Sequence, residues 1–377
     1  MTTKRKIKLK RPAIILIKTF SIILVILLLL LIFYNHEMNQ LKVLGYSTYS
    51  SRKILFSFKK NDVISVGNSK TLNAAYESDD FNEKYFNNYA KIEYQNQKHL
   101  IKNINSLIKK KYNNKEISII LAHGSDGDVT EFAKRDKVRY LEEFFSYDFA
   151  KLSNYDRYVN FSDESGEDEE TTIVYVNLDL DKEQYVDPVT INSFDSKALV
   201  TKHRQLTSKF VPDKLIKVPE KYSGEDKVKG ESQAVLSFEK MADDANSQGM
   251  GIVINSGYRS FESQKKLCEE YLKLYGEEYV NKYVAKEGFS EHQTGMSFDI
   301  GSTSSNVFAN SKEYSWVQEN AHNYGFIQRF PKGYEDITGF RAESWHYRYV
   351  GKKIATYIYE HKITFDEYYI KFLDNNI

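Results

Sequence analysis

The feature that most constrains what this chain can become lies at its start. Lys4, Arg5, Lys6, Lys8, Lys10 and Arg11 precede Ala13 to Ile17, then Lys18, and then an unbroken apolar run from Ile22 to Phe33 that ends at Tyr34. From Pro12 to Tyr34 the chain supplies the roughly 20 residues needed to cross a bilayer as a helix, and the basic flank orients residues 1–11 towards the cytoplasm. Lys18 lies near the inner end, where its stem can carry the ammonium to the interface. A cleaved signal peptide is the alternative, but the run is longer than its apolar region usually is, and no small-x-small pattern follows Tyr34. The expectation is an uncleaved single-pass anchor over 12–34, with all that follows outside the cytoplasm at the cell membrane.

A chain of 377 residues has room for about two or three units of typical domain size, and an apolar fraction of 41% is ordinary for a protein with a real core. The formal net charge of +1 gives no broad electrostatic footprint, so nucleic acid is not an expected partner. Cys268, the single cysteine, cannot form an internal disulfide; with Leu267, Tyr271 and Leu272 at helical spacing it reads as a small core residue. A monomer is expected.

From 35 to 190 the chain reads as a mostly helical spacer, polar and rich in Lys, Asn, Tyr and Phe, with helical spacing at Leu100, Ile104, Leu107 and Ile108 and no clean repeat at fixed period. Leu44-Gly45-Tyr46-Ser47 before Ile54-Leu55 suggests a cap and a small helix. The acidic run Asp163 to Glu170 reads as a solvated loop marking a boundary, and Thr171 to Leu180, rich in β-branched residues, reads as a strand stopped by Asp187-Pro188. Residues 191–377 have the pattern of an α+β domain, a small antiparallel sheet flanked by helices. Helices are expected over Gln233 to Ser247, Phe261 to Tyr275, Glu277 to Ala285, Ser311 to Tyr324, Lys352 to Glu360 and Phe365 to Leu373, the last with a Thr364…Glu367 capping box. Strands are expected over Gly251 to Ser256, Met296 to Gly301, Phe326 to Phe330 and Ala342 to Tyr349.

Two short stretches of this domain carry chemistry. Ser290 to Asp299 offers an imidazole, His292, and a carboxylate, Asp299; downstream, Glu343-Ser344-Trp345-His346 supplies a third candidate ligand and a possible base. Open catalytic zinc sites use three protein ligands drawn from His and Asp/Glu, with water in the fourth position and a carboxylate at hand. Seven positions separate His292 and Asp299, too far for helix neighbours, but a loop leading into a strand can join them, with Gly295 permitting a tight turn. Residues three apart on a strand face opposite ways, so Glu343 and His346 can serve one metal only if the backbone turns or bulges between them. Tyr258 and Arg259 stand at a strand-to-helix turn, where side chains can reach a cleft. Trp345 reads as a wall of the site or as core.

These residues resemble the VanY-type D-alanyl-D-alanine carboxypeptidases, zinc peptidases that trim peptidoglycan stem peptides. The family pattern Ser-x-His-x-x-Gly-x-Ala-x-Asp is matched by Ser290, His292, Gly295 and Asp299, with Ser297 where alanine is usual; Glu-x-Trp-His is matched by Glu343, Trp345 and His346, and Ser-Gly-Tyr-Arg-Ser by Ser256 to Ser260, followed by Gln264. The resemblance covers roughly Asp195 to Leu373. It implies a zinc held by His292, Asp299 and His346, with Glu343 as general base and later general acid. It also implies that Arg259 grips the substrate's free carboxylate, with Gln264 and Ser290 as neutral donors and Tyr258 beside them. The activity implied is removal of the C-terminal D-alanine. An L,D-carboxypeptidase, a cross-link endopeptidase and a non-catalytic zinc-binding module remain open on the same scaffold.

Overall fold

The computed structural model describes residues 11–57, 59–191 and 195–374, and the basic tail through Lys10 lies outside them. Contacts divide the chain into two compact units: Met1–Ser146 with Lys151–Ser153, and Tyr147–Ala150 with Asn154–Ile377.

The apolar run forms one helix, α1 (Arg11–Val43), whose large apolar side chains from Ile14 to Phe33 are exposed. No membrane is needed to see where that exposure ends. Met38 and Leu41, further along the same helix, are buried, and Glu37 pairs with Lys60 at 2.8 Å.

Beyond α1 the chain is a series of short helices: α2 (Thr48–Leu55), α3 (Lys60–Val66), α4 (Lys70–Glu77), α5 (Phe86–Lys91), α6 (Leu100–Lys109), α7 (Asn114–His123), α8 (Asp126–Phe132), α9 (Leu141–Phe144), α10 (Tyr155–Ser165) and α11 (Glu169–Asn177). The series is a duplication, which the sequence reading missed. The starts of α2 and α7, and of α3 and α8, lie 66 residues apart; those of α5 and α10, and of α6 and α11, lie 69 apart. Buried residues correspond in step, Tyr46 with Tyr112, Ile54 with Ile120, Val63 with Val129, Tyr89 with Tyr158 and Ile104 with Ile173. Both copies open on a polar cap, with Ser47 accepting from the Ser50 amide and Asn113 from the Glu116 amide.

Thr171 to Leu180 is not the expected strand: α11 covers it to Asn177. Asp168 caps this helix by accepting from the Thr171 amide at 2.9 Å, and Glu169 and Glu170 sit in its first turn, where the helix dipole favours negative charge. The acidic run is a loop only from Gly166 to Asp168, since α10 reaches Ser165.

The remaining elements are β1 (Val189–Ile191), β2 (Arg204–Leu206), β3 (Leu215–Lys217), β4 (Lys229–Glu231), α12 (Ser232–Ser247), β5 (Ile252–Ser256), α13 (Phe261–Tyr283), β6 (Ser297–Ser302), α14 (Lys312–Asn320), β7 (Phe326–Gln328), α15 (Glu335–Thr338), β8 (His346–Tyr349), α16 (Lys352–His361) and α17 (Phe365–Phe372). Strands β5, β6, β8 and β7 form, in that order, an antiparallel sheet. Strand alternation sends Phe298 and Ile300 of β6 to one face, where they join Ile252, Ile254 and the α12 residues Val235, Phe238 and Met241 in a buried core. Phe238, Phe298 and Phe326 meet there with ring centroids 5.9–6.4 Å apart. Asp299, between Phe298 and Ile300, is thereby turned to the opposite face.

Two expectations need correction. The strand ending at Tyr349 begins only at His346, not at Ala342, and Leu272 is 49% exposed, so it does not share the buried cluster of Cys268, Val280 and Val284. The two helices expected on either side of Gly276 are present as the two arms of α13, parted at that glycine by its non-helical backbone, φ 79°.

Candidate active site

The sheet register builds the site. Asp299 on β6 pairs directly with His346 on β8, and Ser256, at the end of β5, pairs with Asp299 from the other side. Cross-strand partners share a face, with Cβ atoms about 5 Å apart. His292 comes from a 3-10 turn, Glu291–Thr294, that immediately precedes β6. Gly295 ends that turn with φ 68°, and a Cβ there would lie 3.1 Å from the Glu231 amide nitrogen, so both backbone and space call for glycine.

His292 Nε2 lies 3.5 Å from Asp299 Oδ2, and His346 Nδ1 lies 3.4 Å from Asp299 Oδ1; one ligand atom from each of the three falls within 4.8 Å of the others. Glu343 Oε2 is 3.5 Å from His346 Nδ1. The backbone turn that this pair demands is present, because residues 342–345 precede the strand. They are held beside it by Glu343 N–H to the Phe330 carbonyl (2.9 Å), Gln328 Nε2 to the Glu343 carbonyl (3.0 Å) and Ile300 N–H to the Trp345 carbonyl (2.9 Å).

The donor set fits a cation. Asp299 Oδ1 is buried without a hydrogen-bond partner, which is costly unless something positive satisfies it. The Nδ1 of His292 is 2.8 Å from the Gly257 carbonyl, so that nitrogen donates and Nε2 presents a lone pair to the site. Burial opposes ionisation of Asp299, but the two imidazoles outweigh it and hold the carboxyl far below its usual range. Burial lowers the pKa of His292, against the opposing pull of Asp299. Glu343 behaves differently: burial, with the Asp299 carboxylate adding to it against the pull of His346, pushes its pKa up to about 7. A carboxyl poised there can both accept and return a proton near neutrality.

These residues line a cavity of about 450 Å³, with Arg259 on another wall. Arg259 donates through Nη1 to Gln264 Oε1 (2.8 Å) and through Nη2 to Ser256 Oγ (3.1 Å), while its backbone N–H bonds the His292 carbonyl. Among the described residues no carboxylate lies within ion-pair distance of it. Gln264 is itself fixed by donating to the Ala285 carbonyl at 2.6 Å. Ser290 lines the cavity, and Trp345, 45% exposed, lines it too, so Trp345 is wall and not core. Tyr258 is half-buried and does not line the cavity. The sequence reading missed Arg341 and Tyr283, a cation and a ring 5.1 Å apart at the same cavity, and it missed the buried Glu291. The only signal for Glu291 was a charged residue inside a motif, between Ser290 and His292.

The profile of the VanY family, D-alanyl-D-alanine carboxypeptidase, matches residues 227–352. A Bacillus subtilis protein, YodJ, named as a carboxypeptidase, is 38% identical over 182 residues, which cover 46% of this chain and 67% of that protein. The chain belongs to the VanY family. It is a zinc metallocarboxypeptidase by class. A D-alanyl-D-alanine carboxypeptidase of Enterococcus faecalis is 34% identical over 140 residues, 35% of this chain and about half (52%) of the enterococcal protein. Among solved structures, the LdcB LD-carboxypeptidase shares 37% identity with a TM-score of 0.45, covering 49% of this chain and 90% of that one. The site residues named above, from Ser256 to His346, all fall within the span matched by the VanY profile.

Proposed function

We propose that this chain removes the C-terminal D-alanine from peptidoglycan stem peptides, using a zinc ion held by His292, Asp299 and His346. In this reading 12–34 is a membrane anchor, 35–190 an extracytoplasmic spacer and 191–377 the catalytic domain. The observation that carries it is the cavity in which three ligand-capable atoms within 4.8 Å, the Glu343 carboxyl 3.5 Å from one of them and, among the described residues, an arginine with no carboxylate at ion-pair distance converge. Zinc bound there would lower the pKa of a water to roughly 7 and polarise the scissile carbonyl. Glu343 accepts the proton of the attacking water and returns it to the departing amine, whose pKa and position both require a nearby acid. Arg259 receives the terminal carboxylate: its bonds to Gln264 and Ser256 use two of five N–H donors, orienting the fork while leaving others for substrate. Gln264 and Ser290 flank that contact, Trp345 closes the wall, and Tyr258 supports the turn that carries Arg259.

The test is digestion of purified muropeptides by the zinc-loaded protein, with products weighed. Loss of one alanine from pentapeptides is expected. Loss of alanine from tetrapeptides alone would mean an L,D-carboxypeptidase, and splitting of cross-linked dimers without loss of a terminal residue would mean an endopeptidase; either result would replace the proposed specificity.

A further inference from the structure

The imidazole of His346 is gripped from both sides. Its Nδ1 faces Asp299 and Glu343, while Nε2 is buried and, among the described residues, has no partner within hydrogen-bond distance. The carboxylate beside Nε2 belongs to Glu291, whose Oε2 is 3.6 Å away. Glu291 is 4% exposed and held on all sides. Its Oε1 accepts from Arg329 Nε at 2.9 Å and faces Arg348 Nη1 at 3.2 Å; its Oε2 accepts from Ser297 Oγ at 3.1 Å. Arg329 is fixed in turn by Asp366 of α17, through Nη1 at 2.5 Å and Nη2 at 3.0 Å. Deep burial of four charged side chains costs heavily unless each has partners, and here they partner one another. Oε2 is the part of this network that reaches the site.

Resting on the zinc reading above, we infer that Glu291 is a positioning residue: its Oε2 accepts the Nε2 hydrogen of His346, fixing the tautomer whose Nδ1 lone pair faces the metal. A ligating imidazole whose second nitrogen donates to a carboxylate is held in one ring orientation and is a more basic ligand. The two histidines are then oriented by different means, His292 by the Gly257 carbonyl and His346 by a carboxylate. Arg329 links that carboxylate to Asp366 of α17, which lies one side chain further from the imidazole. Ser297, which stands where the family usually has alanine, supplies a further hydrogen bond to the same oxygen.

The experiment uses the full-length protein in detergent and measures zinc affinity by competition with a chelator. Glu291→Gln is expected to weaken zinc binding by about 10–100-fold, the usual effect of losing an outer carboxylate. Asp366→Asn, which loosens the same buried network without touching His346, is expected to hold zinc within about threefold of wild type while lowering the unfolding temperature of the metal-free protein. Equal losses of affinity in the two variants would overturn the inference, since the network would then act only through the fold; so would unchanged affinity in Glu291→Gln. A second readout needs no variant: nitrogen NMR of the zinc-loaded wild type should show His346 bound through Nδ1 with a proton on Nε2, and the reverse would refute the assignment. A wild type that holds no zinc would sink the proposed function itself, which separates that failure from this one.

Discussion

At the scale of residues, the proposed roles separate binding from turnover. Replacing His292, Asp299 or His346 by Ala removes one of three ligands, so zinc should be lost on dialysis. Glu343→Ala should retain zinc and lose turnover, by about 10²–10⁴-fold, because a general base acts on the reaction rather than on the metal. Metal content and rate measured on the same samples check both, and near-wild-type turnover in Glu343→Ala would move the base elsewhere. For Arg259 the decisive measurement is on the substrate. Amidating the terminal D-alanine removes the charge that the guanidinium would hold, and should slow the wild type by about 1.5–3 kcal/mol, one charged hydrogen bond. Arg259→Ala should scarcely distinguish acid from amide, and Arg259→Lys should fall between, keeping charge without the fork. A wild type indifferent to amidation would refute the exopeptidase reading. The ligand-capable residues were legible because His, Asp and Glu are scarce inside a core and recur here in short motifs. Glu291 was not, because nothing local distinguishes a buried acid from a surface one; its partners Arg329 and Arg348, and the Asp366 that holds Arg329, are distant in sequence.

At the scale of elements, caps were read more dependably than propensities. The Thr364…Glu367 capping box is present, with Thr364 Oγ1 accepting from the Glu367 amide (3.1 Å) and the Glu367 carboxylate accepting from the Thr364 amide (2.7 Å). Thr364 is buried, so Thr364→Ala should cost about 1 kcal/mol, lowering the unfolding temperature by roughly 2–4 °C in a calorimeter. No change would mean the box is redundant with the packing of Phe365. Thr171 to Leu180 went wrong for a related reason. Its β-branched residues favour a strand, but Asp168 caps a helix there, and Ile173 and Val176 recur at helical spacing and are buried. The duplication escaped notice because the offset between the copies changes from 66 to 69 residues part-way along, so no single period fits. What the copies share is burial, which sequence shows only indirectly.

At the scale of the whole molecule, two predictions concern charge and sidedness. Lys202 is 4% exposed, donates to Gln184 Oε1 (3.0 Å) and the Asn281 carbonyl (2.8 Å), and lies 4.7 Å from the Phe340 ring centroid. Burial, helped by the like charge of Lys286, pulls its pKa down to about 8. Below that pH both folded and unfolded chains carry the proton, so folding bears the full cost of burying the charge. Between about 8 and 10.5 only the unfolded chain keeps it, so stability contributed at this position rises with pH. Lys202→Met should therefore gain on wild type by on the order of 2–3 kcal/mol at pH 7 in denaturant titrations, a gap that narrows as pH approaches 10. A gap constant with pH would show that Lys202 stays charged. The second prediction is topological: protease added to intact wall-less cells should digest the protein beyond Asn35, and survival of the full chain, with lysed cells as control, would overturn the orientation.

The continuity of α1 has a consequence for how the first folded unit is attached. With the span to Tyr34 in a bilayer as proposed, the same rigid helix runs on to Val43 and is already packed into its folded unit at Met38 and Leu41. Packing begins at Glu37 and Met38, so at 1.5 Å per residue only about 5 Å separates the membrane surface from folded protein. The attachment is a post rather than a leash. It fixes the height of the first folded unit and restricts its tilt and spin to those of the helix beneath it.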